Sequence, residues 1–158
     1  MTQAKVLVSA CLLGERVRYD GADNLLQHAL LTQLQAQQRI VPFCPECAGG
    51  LATPRKPAEQ RGERIVCADG EDVTAAFTRG AELALAAAQQ QHVVMALLKA
   101  RSPSCGVGQI YDGSFSKTLV AGNGLTAAML QAAGIVTFTE LQLAEAQAWL
   151  AAFDAKQR

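Results

Sequence analysis

The chain has 158 residues, half of them hydrophobic, which is enough for one domain with a substantial core. Fourteen basic residues balance fourteen acidic ones, so the net charge gives no indication of nucleic acid or an anionic membrane as a partner. No segment reaches the roughly 20 consecutive apolar residues of a membrane helix, and the N-terminus lacks a signal-peptide pattern. We therefore expect a single cytoplasmic domain over residues 1–158 with a small-molecule partner, without DNA or membrane binding, and with RNA the least favoured partner.

Three apolar runs of strand length, residues 5–11, 39–44 and 93–98, have helical patterns between or after them. Helices are predicted over about residues 25–38, 73–91, 124–133 and 140–153, and a fourth core strand over 135–139. The run at residues 93–98 lacks polar alternation, which is typical of a strand buried on both faces of a parallel sheet. The pattern predicts an α/β fold: a single-domain three-layer sandwich with a mainly parallel, Rossmann-like sheet of about four to five strands.

The first two apolar runs end at cysteine, and the third is followed by one a few residues later. In open α/β sheets the loops at the carboxyl ends of the strands form the ligand-binding crevice. Cys11, Cys44 and Cys105 are therefore predicted to lie at one edge of the sheet. Five cysteines in a cytoplasmic protein are poor candidates for disulfides, and metal binding or catalysis is the better interpretation.

The two remaining cysteines leave alternatives open. Cys44 and Cys47 form a CxxC motif, but Gly49 and Gly50 follow so closely that we expect no helix to begin there, which weakens a thioredoxin-like redox interpretation. Structural zinc is a minor alternative, because the chain has a single CxxC and two isolated histidines. Cys67, in a predicted short edge strand, is interpreted as a small apolar core residue.

Several basic residues lie in the loops of the predicted site. Residues 54–64 are rich in Pro and Arg and are predicted to form a flap. Arg16 and Arg18 are equally well explained as anion ligands or as solvated side chains. Residues 106–117 are predicted to be a loop or a short irregular hairpin, and a phosphate-binding role there is weakly supported, because the third glycine of a dinucleotide motif is missing.

Three thiols on separate loops are one ligand short of a tetrahedral zinc site, but they match a cubane iron–sulfur cluster in which one iron has no protein ligand. An open metal position is where substrate chemistry takes place. Glu46 and Ser102 lie close in sequence to two of these thiols and are candidate proton-transfer groups. A solvated loop carboxylate and a turn-forming serine before Pro103 explain the same two residues equally well on spacing alone.

Motifs along nearly the whole chain resemble those of the bacterial thiouracil desulfidase family, formerly a domain of unknown function. The matching segments are Ser9-Ala10-Cys11-Leu12-Leu13-Gly14, Arg18-Tyr19-Asp20-Gly21, Cys44-Pro45-Glu46, Gly49-Gly50-Leu51, Pro54-Arg55, Gly70-Glu71-Asp72-Val73-Thr74 and Ser102-Pro103-Ser104-Cys105-Gly106.

The resemblance implies an enzyme that converts 2-thiouracil or 4-thiouracil to uracil and hydrogen sulfide without net redox change. It implies a [4Fe-4S] cluster held by Cys11, Cys44 and Cys105, with the substrate sulfur bound to the open iron. Glu46 would accept the proton of the attacking water, and Ser102 would relay or donate a hydrogen bond at the substrate. Cys47 is a second candidate for the middle ligand, ranked below Cys44.

Two other functional classes remain open from the residues alone. A non-catalytic iron–sulfur or metal-binding sensor or carrier needs only the cysteines. A dithiol oxidoreductase needs Cys44 and Cys47 and no iron. Lys99, Arg101, Arg16 and Arg55 are candidates to stabilise an anionic cluster or a substrate phosphate, with surface solvation as the alternative. Whether the thiolated substrate is a free base, a nucleotide or tRNA, and the oligomeric state, are not determined by the sequence.

Overall fold

A computed structural model describes residues 3–157 as an α/β fold with five α-helices and three small or medium sheets. The strands are β1 (Lys5–Ser9), β2 (Ile40–Phe43), β3 (Ala58–Arg61), β4 (Arg64–Cys67), β5 (Val93–Leu98), β6 (Gln109–Tyr111), β7 (Leu119–Ala121) and β8 (Val136–Thr139). The helices are α1 (Ala29–Ala36), α2 (Pro45–Ala48), α3 (Thr74–Gln90), α4 (Leu125–Ala132) and α5 (Leu143–Lys156). Two 3-10 helices, Ala10–Leu13 and Glu140–Gln142, follow β1 and β8.

The central sheet has four parallel strands in the order β2-β1-β5-β8. Val6 on β1 is in register with Ile40 on β2 and Met95 on β5, which places β1 and β5 in the middle of the sheet. Their residues are almost entirely buried, as expected for strands covered on both faces. The predicted mainly parallel sheet of about four to five strands is confirmed.

Alternate residues of β1 and β5 enter two separate cores. Val6 and Met95 pack in one core, on the face covered by α1 and α5. Leu7 and Ala96 pack in the other core, to which α3 and α4 contribute buried residues. The sheet is therefore the middle of three layers, which confirms the predicted sandwich. Within the described residues, no helix is both long enough and apolar enough to span a membrane.

Two antiparallel hairpins lie outside the central sheet. The predicted flap contains β3, and the predicted short edge strand at Cys67 is β4. The two strands pair in a register that runs from Ala58–Cys67 to Arg61–Arg64. The glycine-rich segment after Cys105 contains β6, which pairs with β7 just beyond residue 117. The hairpin alternative is therefore present but extends to Ala121. Glu59 on β3 accepts hydrogen bonds from the Gly113 and Phe115 amides at 3.0 and 3.1 Å, which ties the two hairpins together.

The helices begin later than the sequence predicts; the predicted closing helix, for example, starts as the 3-10 helix Glu140–Gln142, and α5 begins only at Leu143. The first long helix begins at Ala29 rather than near Leu25, because the His28 ring nitrogen Nδ1 accepts the Leu30 amide and caps the helix there. Helix α3 begins at Thr74, one residue after its predicted start, with Val73 at the N-cap position. Asp72 accepts the Thr74 amide at 2.9 Å through Oδ1.

Candidate functional site

Three neighbouring strands bring the three predicted thiols to one end of the sheet. Cys11 lies in the 3-10 helix after β1, Cys44 directly follows β2, and Cys105 lies in the turn after β5. Because these parallel strands are adjacent, in the order β2-β1-β5, their carboxyl ends share one edge. The convergence of Cys11, Cys44 and Cys105 predicted from the sequence is present in the structure.

A cavity of about 770 Å³ opens at this edge of the sheet. All five predicted site residues line it: Cys11, Cys44, Glu46, Ser102 and Cys105. Cys47 does not belong to its lining, whereas Cys67 does, together with residues of both hairpins. A volume of this size holds a small-molecule substrate together with a metal cluster.

The three thiols are partly or fully buried, and this burial disfavours their negatively charged form. Burial raises the pKa of the Cys105 thiol to about 11, against hydrogen bonds from the Ser104 and Ser9 hydroxyls that lower it. Both hydroxyls lie 3.5 Å from the Cys105 sulfur. Burial also raises the pKa of Cys11, while the Lys99 ammonium acts in the opposite direction. One buried and two partly buried thiols with raised pKa values become thiolates together more readily when a bound metal centre compensates their charge.

The spacing of the thiols distinguishes a cluster from a single ion. Among residues 3–157, the one set of three Cys, His or carboxylate ligand atoms within 4.8 Å of one another is Cys67, Asp69 and Glu71. The sulfurs of Cys11, Cys44 and Cys105 are therefore too widely spaced to hold one tetrahedral ion, but they surround the same cavity. Three thiolates around a shared space fit a polynuclear iron–sulfur cluster, since each sulfur then binds a different iron.

The compact acidic set near Cys67 is explained without a metal. Lys56 Nζ lies 2.7 Å from Asp69 Oδ2 and 2.8 Å from Glu71 Oε2, so one ammonium group already pairs with both carboxylates. Cys67 is only 3% exposed and agrees with its interpretation as a small buried residue.

The expectation that no helix begins at the CxxC motif is wrong. Helix α2 starts at Pro45 with Cys44 as its N-cap, because proline is pre-organised for the first helical position and the glycines fall just beyond the last residue. Burial nevertheless raises the pKa of Cys44 to about 12 rather than lowering it. A helix N-terminus is present here, but the raised pKa of Cys44 disfavours this thiol as the activated nucleophile of a dithiol oxidoreductase.

The sulfur of Cys47 contacts side chains outside the cavity that Cys44 lines. Its sulfur lies 3.5 Å from Thr53 Oγ1 and 3.9 Å from Arg55 Nη1. These contacts and its absence from the cavity lining favour Cys44 as the middle thiol of the site.

Glu46 and the serines form one hydrogen-bonded chain across the site. The Ser104 hydroxyl donates to Glu46 Oε1 at 3.4 Å and lies 3.2 Å from Ser102 Oγ. Ser102 Oγ also accepts the backbone amides of Ser104 and Cys105, at 3.1 and 2.8 Å. Ser102 thus holds the turn that carries Cys105, in addition to facing the cavity. Ser104 was missed by the sequence analysis, although its position within Ser102-Pro103-Ser104-Cys105 was a usable signal.

The basic residues of the loops have different surroundings. Arg18 lines the cavity and donates to Asn24 Oδ1 at 3.1 Å, and Arg101 lines it as an exposed residue. Arg16 is exposed and does not belong to the lining. Lys99 lies 3.1 Å from Glu140 Oε1, and that carboxylate also accepts the Ala100 amide. Arg55 pairs with Glu46, a contact that spacing alone did not predict.

Three findings relate the chain to known proteins. The family model for 2-thiouracil desulfurase matches residues 6–142. A solved structure described as the [4Fe-4S]-dependent thiouracil desulfidase TudS is 51% identical, covers 94% of this chain and 99% of its own, and superposes with a TM-score of 0.92. The uncharacterized protein YbbK of Bacillus subtilis (strain 168) is 40% identical over 148 residues, covering 87% of this chain and 97% of its own. A match of this extent spans the whole sheet and every thiol of the cavity, and the chain belongs to the 2-thiouracil desulfurase family.

Proposed function

We propose that this chain is a [4Fe-4S]-dependent enzyme of sulfur metabolism that converts thiouracil and water to uracil and hydrogen sulfide. The observation that carries the proposal is the set of three widely spaced thiols around one cavity, with a carboxylate and two serines beside them. Membership of the 2-thiouracil desulfurase family and the 51% identity to a [4Fe-4S]-dependent thiouracil desulfidase support the same activity and cofactor. The match over residues 6–142 supports treating residues 1–158 as one desulfidase domain.

We assign the cluster ligands to Cys11, Cys44 and Cys105. Each of these thiols lines the cavity, whereas Cys47 is held by Thr53 and Arg55 outside it. When bound, a cluster with one iron free of protein ligands supplies a soft Lewis acid for a thiocarbonyl sulfur, which makes the attached carbon more electrophilic. The Ser9 hydroxyl stabilises the Cys105 thiolate by hydrogen bonding, whereas the single proton of the Ser104 hydroxyl is shared between Glu46 Oε1 and the Cys105 sulfur.

The chain's own residues supply the proton transfers in this proposal. Glu46 lines the cavity, and its Oε1, which is not paired with Arg55, accepts the proton of the water that attacks the thiocarbonyl carbon. Ser104 links this oxygen to Ser102. Once Oε1 is protonated, it donates to the Ser104 oxygen while the Ser104 hydroxyl turns to donate to Ser102, so that the proton passes along the hydroxyls to Ser102 at the cavity. A general base of this kind contributes about 10²–10⁴-fold to a rate. Exchange of C=S for C=O with water changes no oxidation state, so the reaction consumes no electrons.

The partner and location follow from the same site. A cavity of about 770 Å³ and a net charge of zero favour a small thiopyrimidine over a polyanion such as RNA. Three free thiols that bind a metal cluster must stay reduced, and thiols stay reduced in the cytoplasm. This requirement supports the cytoplasm as the location.

The experiment is an assay of the anaerobically reconstituted protein with 2-thiouracil and 4-thiouracil. We expect uracil and sulfide in equal amounts without an added electron donor, and one heavy oxygen atom from labelled water at the former thiocarbonyl carbon. If iron-loaded protein releases sulfide only with an electron donor, or from neither substrate, the proposal fails and a sensor or carrier function replaces it.

A further inference from the structure

Arg55 contacts Glu46 in an asymmetric way. Its Nε donates to Glu46 Oε2 at 2.9 Å, and its Nη2 donates to that same oxygen. The other oxygen, Oε1, is left to the Ser104 hydroxyl at 3.4 Å. The side chains of Arg55 and Glu46 are only 9% and 16% exposed, so this ion pair is shielded from water and holds a defined geometry. The arginine therefore distinguishes the two oxygens of the carboxylate.

All three guanidinium nitrogens of Arg55 donate hydrogen bonds, which fix the position of this side chain. Nη2 also donates to the Val17 carbonyl at 2.8 Å, and Nη1 donates to the Ala52 carbonyl at 3.2 Å and to Thr53 Oγ1 at 3.0 Å. The planar fork of five N–H donors is used in full, which a lysine ammonium with three donors cannot reproduce. The guanidinium joins the loop after β1 to the segment that follows α2.

Helix α2 cannot fix the Glu46 side chain by itself. It is a single turn of four residues, and a glutamate on its surface has three rotatable side-chain bonds. We propose that Arg55 is the positioning residue that holds Glu46 Oε2 so that Oε1 is the oxygen that accepts the proton of the attacking water. This inference rests on the proposed function, in which Glu46 is the general base.

A second arginine, Arg79 on α3, contacts the carboxyl end of α2 and provides a matched control. Arg79 donates to the Gly49 carbonyl at 3.1 Å through Nε and at 2.6 Å through Nη2, so it anchors the end of α2 without touching Glu46. A general loosening of α2 affects Arg55→Lys and Arg79→Lys alike, whereas a positioning role affects Arg55→Lys alone.

The kinetic test measures kcat and KM for thiouracil in the cluster-loaded Arg55→Lys and Arg79→Lys variants. We expect Arg55→Lys to lower kcat by about 10- to 100-fold, the range expected for a misplaced catalytic group, while KM changes less than twofold and the cluster absorbance is retained. Arg79→Lys should keep the wild-type kcat. An unchanged kcat in Arg55→Lys, or an equal fall in both variants, would overturn the inference.

A double variant tests whether Arg55 acts through Glu46. In the Glu46→Gln background, Arg55→Lys should cause no further fall in kcat, because the group that it positions is already lost. A further fall of 10-fold or more would show that Arg55 acts on the reaction by another route and would overturn the assignment.

A third measurement does not depend on turnover. In metal-free protein, a water-soluble carbodiimide with an amine nucleophile should modify Glu46 several-fold faster in Arg55→Gln than in the wild type or Arg79→Lys, as read by mass spectrometry of the peptide. Equal modification in Arg55→Gln and wild type would overturn the inference. If the wild type releases no sulfide, the proposed function fails, whereas the labelling still reports whether Arg55 holds Glu46.

Discussion

The Ser104 hydroxyl lies 3.4 Å from Glu46 Oε1 and thereby connects two segments that are 58 residues apart in the chain. Ser104 belongs to the turn after β5, and Glu46 belongs to the helix after β2. Ser104 is 2% exposed, and its hydroxyl also lies 3.5 Å from the Cys105 sulfur. One buried hydroxyl thus contacts both the proposed base and a proposed cluster ligand.

This contact predicts a partial loss of activity in Ser104→Ala. The variant removes the donor to Glu46 Oε1 and interrupts the hydroxyl chain to Ser102, so we expect kcat to fall about 10-fold while iron content stays at the wild-type level. The loss of one buried hydrogen-bonded group should lower the free energy of unfolding by about 1 kcal/mol. Steady-state kinetics, iron analysis and urea denaturation check these expectations.

Ser102→Ala serves as the comparison for that variant. Ser102 Oγ accepts two backbone amides, so its removal leaves both donors without their partner and should destabilise the chain more than Ser104→Ala, by about 1–3 kcal/mol. Ser102→Thr keeps an acceptor oxygen and should recover part of that loss. Wild-type kcat in Ser104→Ala would remove this hydroxyl from the mechanism.

The ligand assignment predicts iron content directly. Wild-type protein reconstituted without oxygen should contain about four irons and four sulfides per chain. Alanine at Cys11, Cys44 or Cys105 should abolish or strongly deplete the cluster, because each replacement removes the protein ligand of one iron. Cys67→Ala and Cys47→Ala should retain it, as determined by iron and acid-labile sulfide analysis.

The assignment between Cys44 and Cys47 depends on the two corresponding variants. If Cys47→Ala empties the site and Cys44→Ala leaves it full, Cys47 is the middle ligand instead. Cys67→Ala is the control for a buried thiol on the same cavity that we do not assign to the cluster.

Glu46→Gln separates cluster binding from catalysis. Glutamine has nearly the same shape but cannot accept the proton of the attacking water, so turnover should fall by about 10²–10⁴-fold while the cluster spectrum is unchanged. Absorbance spectroscopy and sulfide release measure the two properties in one sample. Turnover within twofold of the wild type would exclude Glu46 as the base, and loss of the cluster would indicate a structural role.

Two glycines allow α2 and α3 to approach each other. A Cβ at Gly80 would overlap the Pro45 carbonyl oxygen, and a Cβ at Gly49 would overlap the Ala76 carbonyl oxygen. Helix propensity alone predicts that Gly80→Ala stabilises α3 by about 1 kcal/mol. We predict the opposite sign, a destabilisation of about 1–3 kcal/mol, because the backbone of α2 must move away.

Urea denaturation of the metal-free protein tests this prediction. Ala86→Gly, on an exposed part of the same helix, should lose only about 1 kcal/mol through propensity. Because α2 begins directly after Cys44 and contains Glu46, Gly80→Ala should also lower cluster occupancy and turnover. A variant more stable than the wild type would show that α2 does not pack as closely as described.

Much of the fold could be predicted from local sequence. The uninterrupted apolar run of β5 indicates a strand buried on both faces, and helical periodicity between such runs indicates parallel crossovers. Adjacent parallel strands share a carboxyl edge, so the placement of Cys11, Cys44 and Cys105 followed from the pattern. The motif from Ser102 to Cys105, with the other quoted segments, was sufficient to indicate the family.

The tertiary structure decided what depends on contacts between distant segments. The low helix propensity of the glycines after Cys47 predicted that no helix begins at the CxxC motif. Helix α2 forms nevertheless, because the absence of a Cβ at Gly49 and Gly80 allows α2 to pack closely against α3. Which of Cys44 and Cys47 lines the cavity depends on Thr53 and Arg55, because these residues of a later loop contact the Cys47 sulfur outside the cavity. Likewise, the contacts of Glu46 with Arg55 and Ser104 join three loops. The sequence by itself determined which thiols share an edge, because parallel strands joined by crossover helices place their carboxyl ends on one side of the sheet whatever their order. The order of the strands and the orientation of the side chains arise only when separate segments pack together.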